Sequence, residues 1–332
     1  MVHTVTERMN KEHTITADDD AIRLDRWFKR HYPGLPHALL EKQLRKGAIR
    51  VDGKKAKSSD RIHEGQVIAC PDIAQDTTPK PRSAINPGDA AEVRKWILYQ
   101  DERIIVVNKP AGLATQGGSK IVKSLDSMVA GLSDEQGRPK LTHRLDRDTS
   151  GCVVLARNAK VASQLMSLFS HRKIEKTYLA LVNNVPQPLQ GSINLPILKK
   201  ENPKAAGVAG GPQGRDYEIM MIDDEGQKSV SDYRVIDALA RKFALVELKP
   251  HTGRMHQLRV HMQAIDCSIV GDHKYGGGGS AAISMGVEDR LHLHAWKIAL
   301  PAFAGGKAVT VKAPLPHHMQ QSFKALGLDI PK

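Results

Sequence analysis

Residues 142–169 read THRLDRDTSGCVVLARNAKVASQLMSLF, and three textures follow one another in this stretch. A polar loop crowded with charge runs through Ser150. Gly151–Ala156 is then a short unbroken apolar run, as expected of a strand buried on both faces. Asn158 is a good helix cap, and beyond it Val161, Leu165, Leu168 and Phe169 recur at i, i+4, i+7 and i+8, one face of a helix. A buried strand with charges at its leading end and a helix at its trailing end is the unit from which the rest is read.

Working outward, short strands are expected at Trp96–Tyr99 and Arg103–Val107, which flank an Asp101-Glu102 turn and end in Asn108-Lys109-Pro110. Others are expected at Lys176–Leu181, Asp232–Ile236, Phe243–Leu248 and Leu291–Leu300. Strands that do not alternate strictly with helices point to an α+β domain, with bounds 95–326. The Gly/Pro-rich stretch GVAGGPQGRD, within Lys199–Gln227, reads as a mobile insertion. A polar segment with Pro71, Pro79, Pro81 and Pro87 reads as a linker, 73–94.

Ahead of the linker the charge is concentrated. The 332 residues carry 49 Lys+Arg and 36 Asp+Glu, a net +13. Between Ala21 and Arg61 stand 12 basic residues against Asp25, Glu41, Asp52 and Asp60, a net +8. This stretch also reads as a small folded unit, 13–72. Leu24, Trp27 and Phe28 form one helical stripe. A second helix opens at Pro36, carries Leu40 and Leu44, and stops at Gly47. Asp52-Gly53 is a type I′ hairpin turn, and Val67–Ala69 a last short strand. Arg45, Lys46, Arg50, Lys54 and Lys55 gather after the second helix on one cationic face, which argues for a nucleic-acid partner. Hydrophobic content of 40% excludes wholesale disorder. Cys70, Cys152 and Cys267 stand far apart, which argues against a disulfide framework or a cysteine zinc site. The start lacks an apolar signal region and no run approaches a membrane span, so a cytoplasmic protein without a membrane partner is expected.

Three segments concentrate polar side chains beside apolar strands. In His143–Asp148, carboxylates stand among basic residues, where a guanidinium can hold an acid ionised. In Lys176–Leu181 a tyrosine, Tyr178, sits in a strand, where such residues more often belong to a core or rim. In His251–His261, helical spacing puts Met255, Leu258, Met262 and Ile265 on one face and His256, Arg259 and Gln263 in a polar row. Arg259 would thereby reach from a rigid element toward an acid, or else be a surface arginine in an ordinary ion pair.

HRLDRDTSG, after VNKPAGL and before TGRMHQLRVH, resembles the RluA family of RNA pseudouridine synthases, and the resemblance spans essentially the whole chain. RLDRWFKR…LEKQLRKGAIRVDGKK resembles the S4 RNA-binding domain. Within the family, Arg147 and Ser150 favour the RluC branch, which acts on several uridines of bacterial large-subunit (23S) ribosomal RNA. The RluD branch usually has lysine and a second threonine there. The resemblance implies a small S4-like domain linked to a mixed, largely antiparallel sheet with flanking helices. It implies ribosomal RNA as partner, no cofactor, no metal and a monomer. Asp146 matches the essential aspartate, and Arg259 the basic residue that pairs with it, by two parallel hydrogen bonds in the expected geometry. Tyr178 matches the tyrosine that packs on the uracil, and Arg144 the residue that fills the gap left by the flipped uridine. The rivals are a metal-dependent hydrolase using His143, Asp146, Asp148, His292 and His294, and a non-catalytic S4-bearing RNA-binding ribosome-assembly factor.

Overall fold

In the computed structural model, the described residues are 10–71, 87–117, 121, 123–201, 218–278 and 280–330. The chain divides into two compact units, residues 1–84 and 85–332.

The first unit contains strand β1 (Asn10–Thr14), helices α1 (Leu24–His31) and α2 (His37–Lys46), and strands β2 (Arg50–Val51), β3 (Lys54–Lys55) and β4 (Val67–Pro71). Its sheet runs β1-β4-β2-β3. Leu24, Trp27 and Phe28 of α1 bury against Leu40 and Leu44 of α2 and against Ile49, Ile62 and Ile68. Asp52 and Gly53 both have positive φ, 49° and 74°, which the type I′ turn between β2 and β3 requires.

The second unit begins where a linker was expected. Residues 73–86 of that linker lie outside the described residues, but the remainder is helix α3 (Pro87–Lys95), with Val93 buried. In order follow β5 (Ile97–Gln100), β6 (Ile104–Lys109), α4 (Leu125–Met128), β7 (Lys140–Leu141), β8 (Ser150–Ala156), α5 (Ala159–Ser170) and β9 (Glu175–Asn183). Then come β10 (Gln190–Asn194), β11 (Ile197–Glu201), β12 (Glu218–Ile222), β13 (Val230–Leu239), β14 (Phe243–Pro250) and α6 (Gln257–Ala264). The last elements are α7 (Ser280–Ile283), β15 (Leu293–Leu300), β16 (Val309–Lys312) and α8 (His317–Leu326). The main sheet runs β10-β13-β14-β9-β15-β8-β6-β5, with β16 on β15 and β7 on β8. It is mixed and largely antiparallel, since among the described strands only β15 and β8 pair in parallel.

Side-chain alternation divides the core into two layers. Ile104, Val106 and Val154 pack under Val161 and Leu165 of α5, whereas Ile105, Val107, Val153 and Leu155 pack with Val93, Leu125 and Met128. A sheet covered on both faces explains why β8 is buried throughout and apolar from Gly151 on. In the other half, Leu179, Leu181 and Leu245 meet Met319 and Phe323 of α8, and Ala180, Val182 and Val246 meet Leu258 and Met262 of α6. The ends of the expected insertion pair as the β11–β12 ladder, and residues 202–217 lie outside the described residues. Gly151 has φ +115°, and a β-carbon there would lie 2.2 Å from the Ala295 carbonyl oxygen. Only glycine lets β8 and β15 approach so closely. The three cysteines are free and buried, and no helix among the described residues is long and apolar enough to cross a membrane.

Candidate active site

The loop between β7 and β8 is pinned before it presents any side chain to solvent. Thr142 Oγ1 donates to the Val154 carbonyl (2.8 Å), and His143 Nε2 accepts from the Val154 N–H (2.9 Å). Burial lowers the His143 pKa to about 3, so the ring is neutral and can accept. Thr115 Oγ1 bonds both the carbonyl and the N–H of Leu145. Fully buried Lys109 donates to the carbonyls of Pro110, Leu113 and Arg147 at 2.8–3.0 Å. Desolvation takes its pKa down to about 7, against the pull of Asp148 and Asp146. At the far end of the loop, Ser150 Oγ meets His294 Nδ1 at 2.8 Å.

Held in this way, Asp146 lies in a cleft of about 910 Å³, lined among others by Arg144, Lys176, Tyr178, His256 and Arg259. That is ample for a nucleotide-sized group, since ligand sites commonly span roughly 300–1,000 Å³. Its Oδ2 is 3.9 Å from both Arg259 Nη1 and His256 Nε2. Burial pushes the carboxyl upward, while Arg259, Arg144 and Lys109 pull it down and Asp272 adds to the rise. The net direction is up, so the cations temper the desolvation of the carboxylate without overcoming it.

The fork of Arg259 does not hold Asp146. Nε and Nη2 donate to the two oxygens of Asp272, both at 2.7 Å. The Asp272 side chain is fully buried, and its Oδ1 also accepts from the N–H groups of Lys274 and Tyr275. The bidentate partner expected for Arg259 is therefore replaced by an acid thirteen residues downstream, and Asp146 faces the remaining nitrogen. The Tyr275 ring lies 4.9 Å from the guanidinium carbon. Its hydroxyl accepts from the Met220 N–H and meets His256 Nδ1 at 2.7 Å. In the tautomer where the hydroxyl donates to Nδ1, neutral His256 presents its Nε2–H toward Asp146. Burial, followed by Arg259, Lys274 and Arg144, lowers the His256 pKa to about 3.

The helix expected to carry the polar row starts later than its spacing suggests. His256 is in the left-handed region, φ 54°, and α6 begins at Gln257. Gln257 Oε1 accepts from Thr252 Oγ1 and the Arg254 N–H, and its Nε2 donates to Val230 O and Ser231 Oγ, which fixes the turn. Met255 consequently packs with Ile197, Met220, Val260 and Tyr275, away from Leu258 and Met262. Gln263 is exposed, so no row joins it to buried Arg259.

Tyr178 borders the clusters beneath α4 and α6. Its hydroxyl, raised by burial and then by Asp146, makes no hydrogen bond among the described residues. Arg144 is exposed at the cleft with no ion pair among the described residues. Arg45, Lys46, Arg50, Lys54 and Lys55 are all exposed in the first unit, where Arg50 braces the hairpin by donating to the Gly47 and Gly53 carbonyls.

The ligand set weighed for a hydrolase is not assembled. His143 is bonded to β8, His292 to Ser322 and the Arg290 carbonyl, and His294 to Ser150 and the Ala313 carbonyl. Among the described residues no group of three His, Cys, Asp or Glu side chains has metal-binding placement. Asp272 and Tyr275 went unread in the sequence, although GDHKYG combines an acid and a tyrosine with glycines.

A sequence model of RNA pseudouridylate synthase matches residues 103–264. The chain is 36% identical over 312 residues to a ribosomal large subunit pseudouridine synthase C of Rickettsia bellii, covering 91% of this chain and 97% of that protein. With the protein of the same name from Vibrio cholerae it shares 30% identity, over 93% and 95% of the two chains. Among solved structures, human RNA pseudouridylate synthase domain containing 4 aligns with a TM-score of 0.61 at 29% identity, covering 74% of this chain and 98% of that one.

Proposed function

The chain belongs to the RNA pseudouridylate synthase family, and on that premise we propose that it isomerises uridines to pseudouridine in bacterial large-subunit ribosomal RNA, with Asp146 as the catalytic carboxylate. The names of the relatives from Rickettsia and Vibrio support this substrate. The observation that carries the role of Asp146 is its carboxylate in a pinned loop, 3.9 Å from the side chains of Arg259 and His256, in a cleft shared with Tyr178.

The reaction breaks the uracil N1–C1′ bond, joins C5 to C1′ and exchanges the C5 proton for one on N1. It is redox-neutral. Asp146 acts as its carboxylate, by attack on the ribose or the base or by taking a ribose proton. Arg259 Nη1 and the His256 Nε2–H are donors toward that carboxylate and stabilise its charge as it is regenerated. Tyr178 supplies a flat surface for the base, and its unbonded hydroxyl is available to remove the C5 proton. Arg144 enters the gap that the flipped uridine leaves in the RNA.

In this reading residues 13–72 are an S4-type RNA-binding domain. Arg45, Lys46, Arg50, Lys54 and Lys55 contact phosphates and contribute affinity rather than chemistry. The enzyme works as a monomer in the cytoplasm, where bacterial ribosomal RNA is found. Mapping pseudouridines in large-subunit rRNA from cells with and without the gene tests the proposal. Sites that disappear without the gene and return with the wild-type copy support it, and an unchanged map overturns it.

A further inference from the structure

Lys176 stands two residues before Tyr178 on β9, so the pleat sends both side chains to one face of the sheet. Both line the cleft that holds Asp146. The ammonium lies close to the His251–Arg254 turn, since a β-carbon built on Gly253 would come within 3.9 Å of Nζ.

Several neighbouring cations already have acids. Lys249 lies 3.5 Å from Glu247, Arg147 holds Asp148, and Arg259 holds Asp272. Lys176 has none. Among the described residues it makes no hydrogen bond and no ion pair, and the adjacent Glu175, exposed at the cleft, alternates to the other side of the strand. Desolvation alone lowers its pKa. An ammonium half-buried without a counter-charge destabilises the free protein, and an anion seated beside it offsets that cost.

The surroundings indicate which anion. Arg172, Lys249 and Arg254 also line the cleft, whose lining acids are Asp146 and Glu175, so its cations outnumber its acids and the site is electropositive beyond what a neutral uracil carbonyl requires. On an RNA substrate the formal negative charges are the phosphodiesters. Lys176 lies ~6.8 Å along the strand from Tyr178, given the rise per residue. That is a step of the order that separates a base from its own backbone phosphate.

We propose that Lys176 binds a phosphodiester flanking the flipped nucleotide, and so anchors the backbone while Tyr178 carries the base. This rests on the reading of the cleft given above as a uridine site.

The test uses the full-length enzyme in single-turnover assays, with enzyme in excess over an rRNA stem–loop carrying a mapped uridine. Wild type, Lys176→Gln and Lys176→Arg are each given the natural RNA and two RNAs with an uncharged methylphosphonate linkage, 5′ or 3′ of that uridine. Lys176→Gln should raise the half-saturating enzyme concentration between about 10- and 100-fold, with a smaller effect on the maximal rate, and arginine should restore most of the loss. On one of the methylphosphonate RNAs wild type should lose as much, and the glutamine variant should lose little more. Losses that multiply on both RNAs, or a fall in maximal rate at unchanged half-saturation, would overturn the role of Lys176. Wild-type enzyme that isomerises no uridine would instead overturn the function proposed above.

Discussion

Arg259 gives its two-pronged hydrogen bond to Asp272, at 2.7 Å on each side, and leaves only Nη1 for Asp146 at 3.9 Å. A fork closed on Asp146 would occupy both carboxylate oxygens. With Asp272 as its partner, the guanidinium lends Asp146 positive potential while leaving it accessible to substrate. Arg259 and Asp272 therefore act on the pKa of Asp146 in opposite senses. Burial raises the carboxyl, and in the proposed role it reacts ionised, so activity should fall as pH drops through its pKa. Arg259→Ala removes a cation that pulls the pKa down, and the acid limb should move to higher pH. Asp272→Asn removes a charge that pushes it up and frees the fork to close on Asp146. Its acid limb should move to lower pH, with a maximal rate at least about tenfold below wild type, since a productive geometry has been lost. Single-turnover pH–rate profiles of the two variants check this, and shifts in the same direction would contradict it. Arg259→Lys should fall between wild type and alanine, keeping charge but not the fork.

Asp146→Asn should abolish pseudouridine formation while RNA affinity stays close to that of wild type. The amide retains the shape but loses the charge that the chemistry uses. Tritium release from C5-labelled RNA, beside a filter-binding isotherm, measures both quantities, and substantial turnover by the asparagine variant would remove Asp146 from catalysis.

Tyr178→Phe keeps the ring packed between its two clusters and deletes a hydroxyl that has no hydrogen bond among the described residues. Stability should change by less than about 1 kcal/mol, because no buried partner is orphaned. The isomerisation rate should fall by about 100-fold if the hydroxyl removes the C5 proton, the lower end of the usual gain from general base catalysis. Thermal melts and single-turnover rates with C5-deuterated substrate separate the two effects.

Changing Arg50, Lys54 and Lys55 together to glutamine should weaken rRNA binding and flatten its salt dependence. Each lost phosphate contact should lower the slope of log K against log salt by about 0.7–0.9. Unchanged affinity and slope would remove the β2–β3 hairpin from RNA recognition.

Gly151→Ala should be severely destabilising, by roughly 3 kcal/mol or more, because it combines a disfavoured φ with a collision against the Ala295 carbonyl. Chemical denaturation of the purified variant would show it. An alanine variant with wild-type stability would mean that β8 and β15 separate more readily than their register implies.

Local signals carried the fold wherever periodicity or turn chemistry acted over a few residues. The strand at Gly151–Ala156, the helix capped by Asn158 and the Asp52-Gly53 hairpin all form within a residue or two of their expected places. Elements without such signals were missed. The helix Pro87–Lys95 lies behind a cluster of prolines, and β10 is a short polar edge strand whose identity comes from pairing with β13. The start of α6 was misplaced because a side chain decided it: Gln257 bonds back to the preceding turn, which no hydrophobic period records. In the cleft, Asp146, Tyr178 and Arg259 were recognisable from motifs. Asp272 was not, because its importance lies in a contact across the fold that spacing does not encode.

Strand β15 joins β9 on one side and β8 on the other, and no other strand among the described residues bridges those two. Until residues 293–300 are in place, the loop bearing Asp146 belongs to one half-sheet, while Tyr178 and Arg259 belong to another. A ribosome translating this message therefore makes the cationic first unit well before the strand that closes the synthase domain. Before that strand emerges, the Asp146 loop and Tyr178 have no common sheet to hold them in one cleft. Long-range closure of this kind is slow, because distant segments must meet before any contact rewards them. A chain cut short before Leu293 would therefore lack the strand that brings the Asp146 loop and Tyr178 into one cleft, and should be inert.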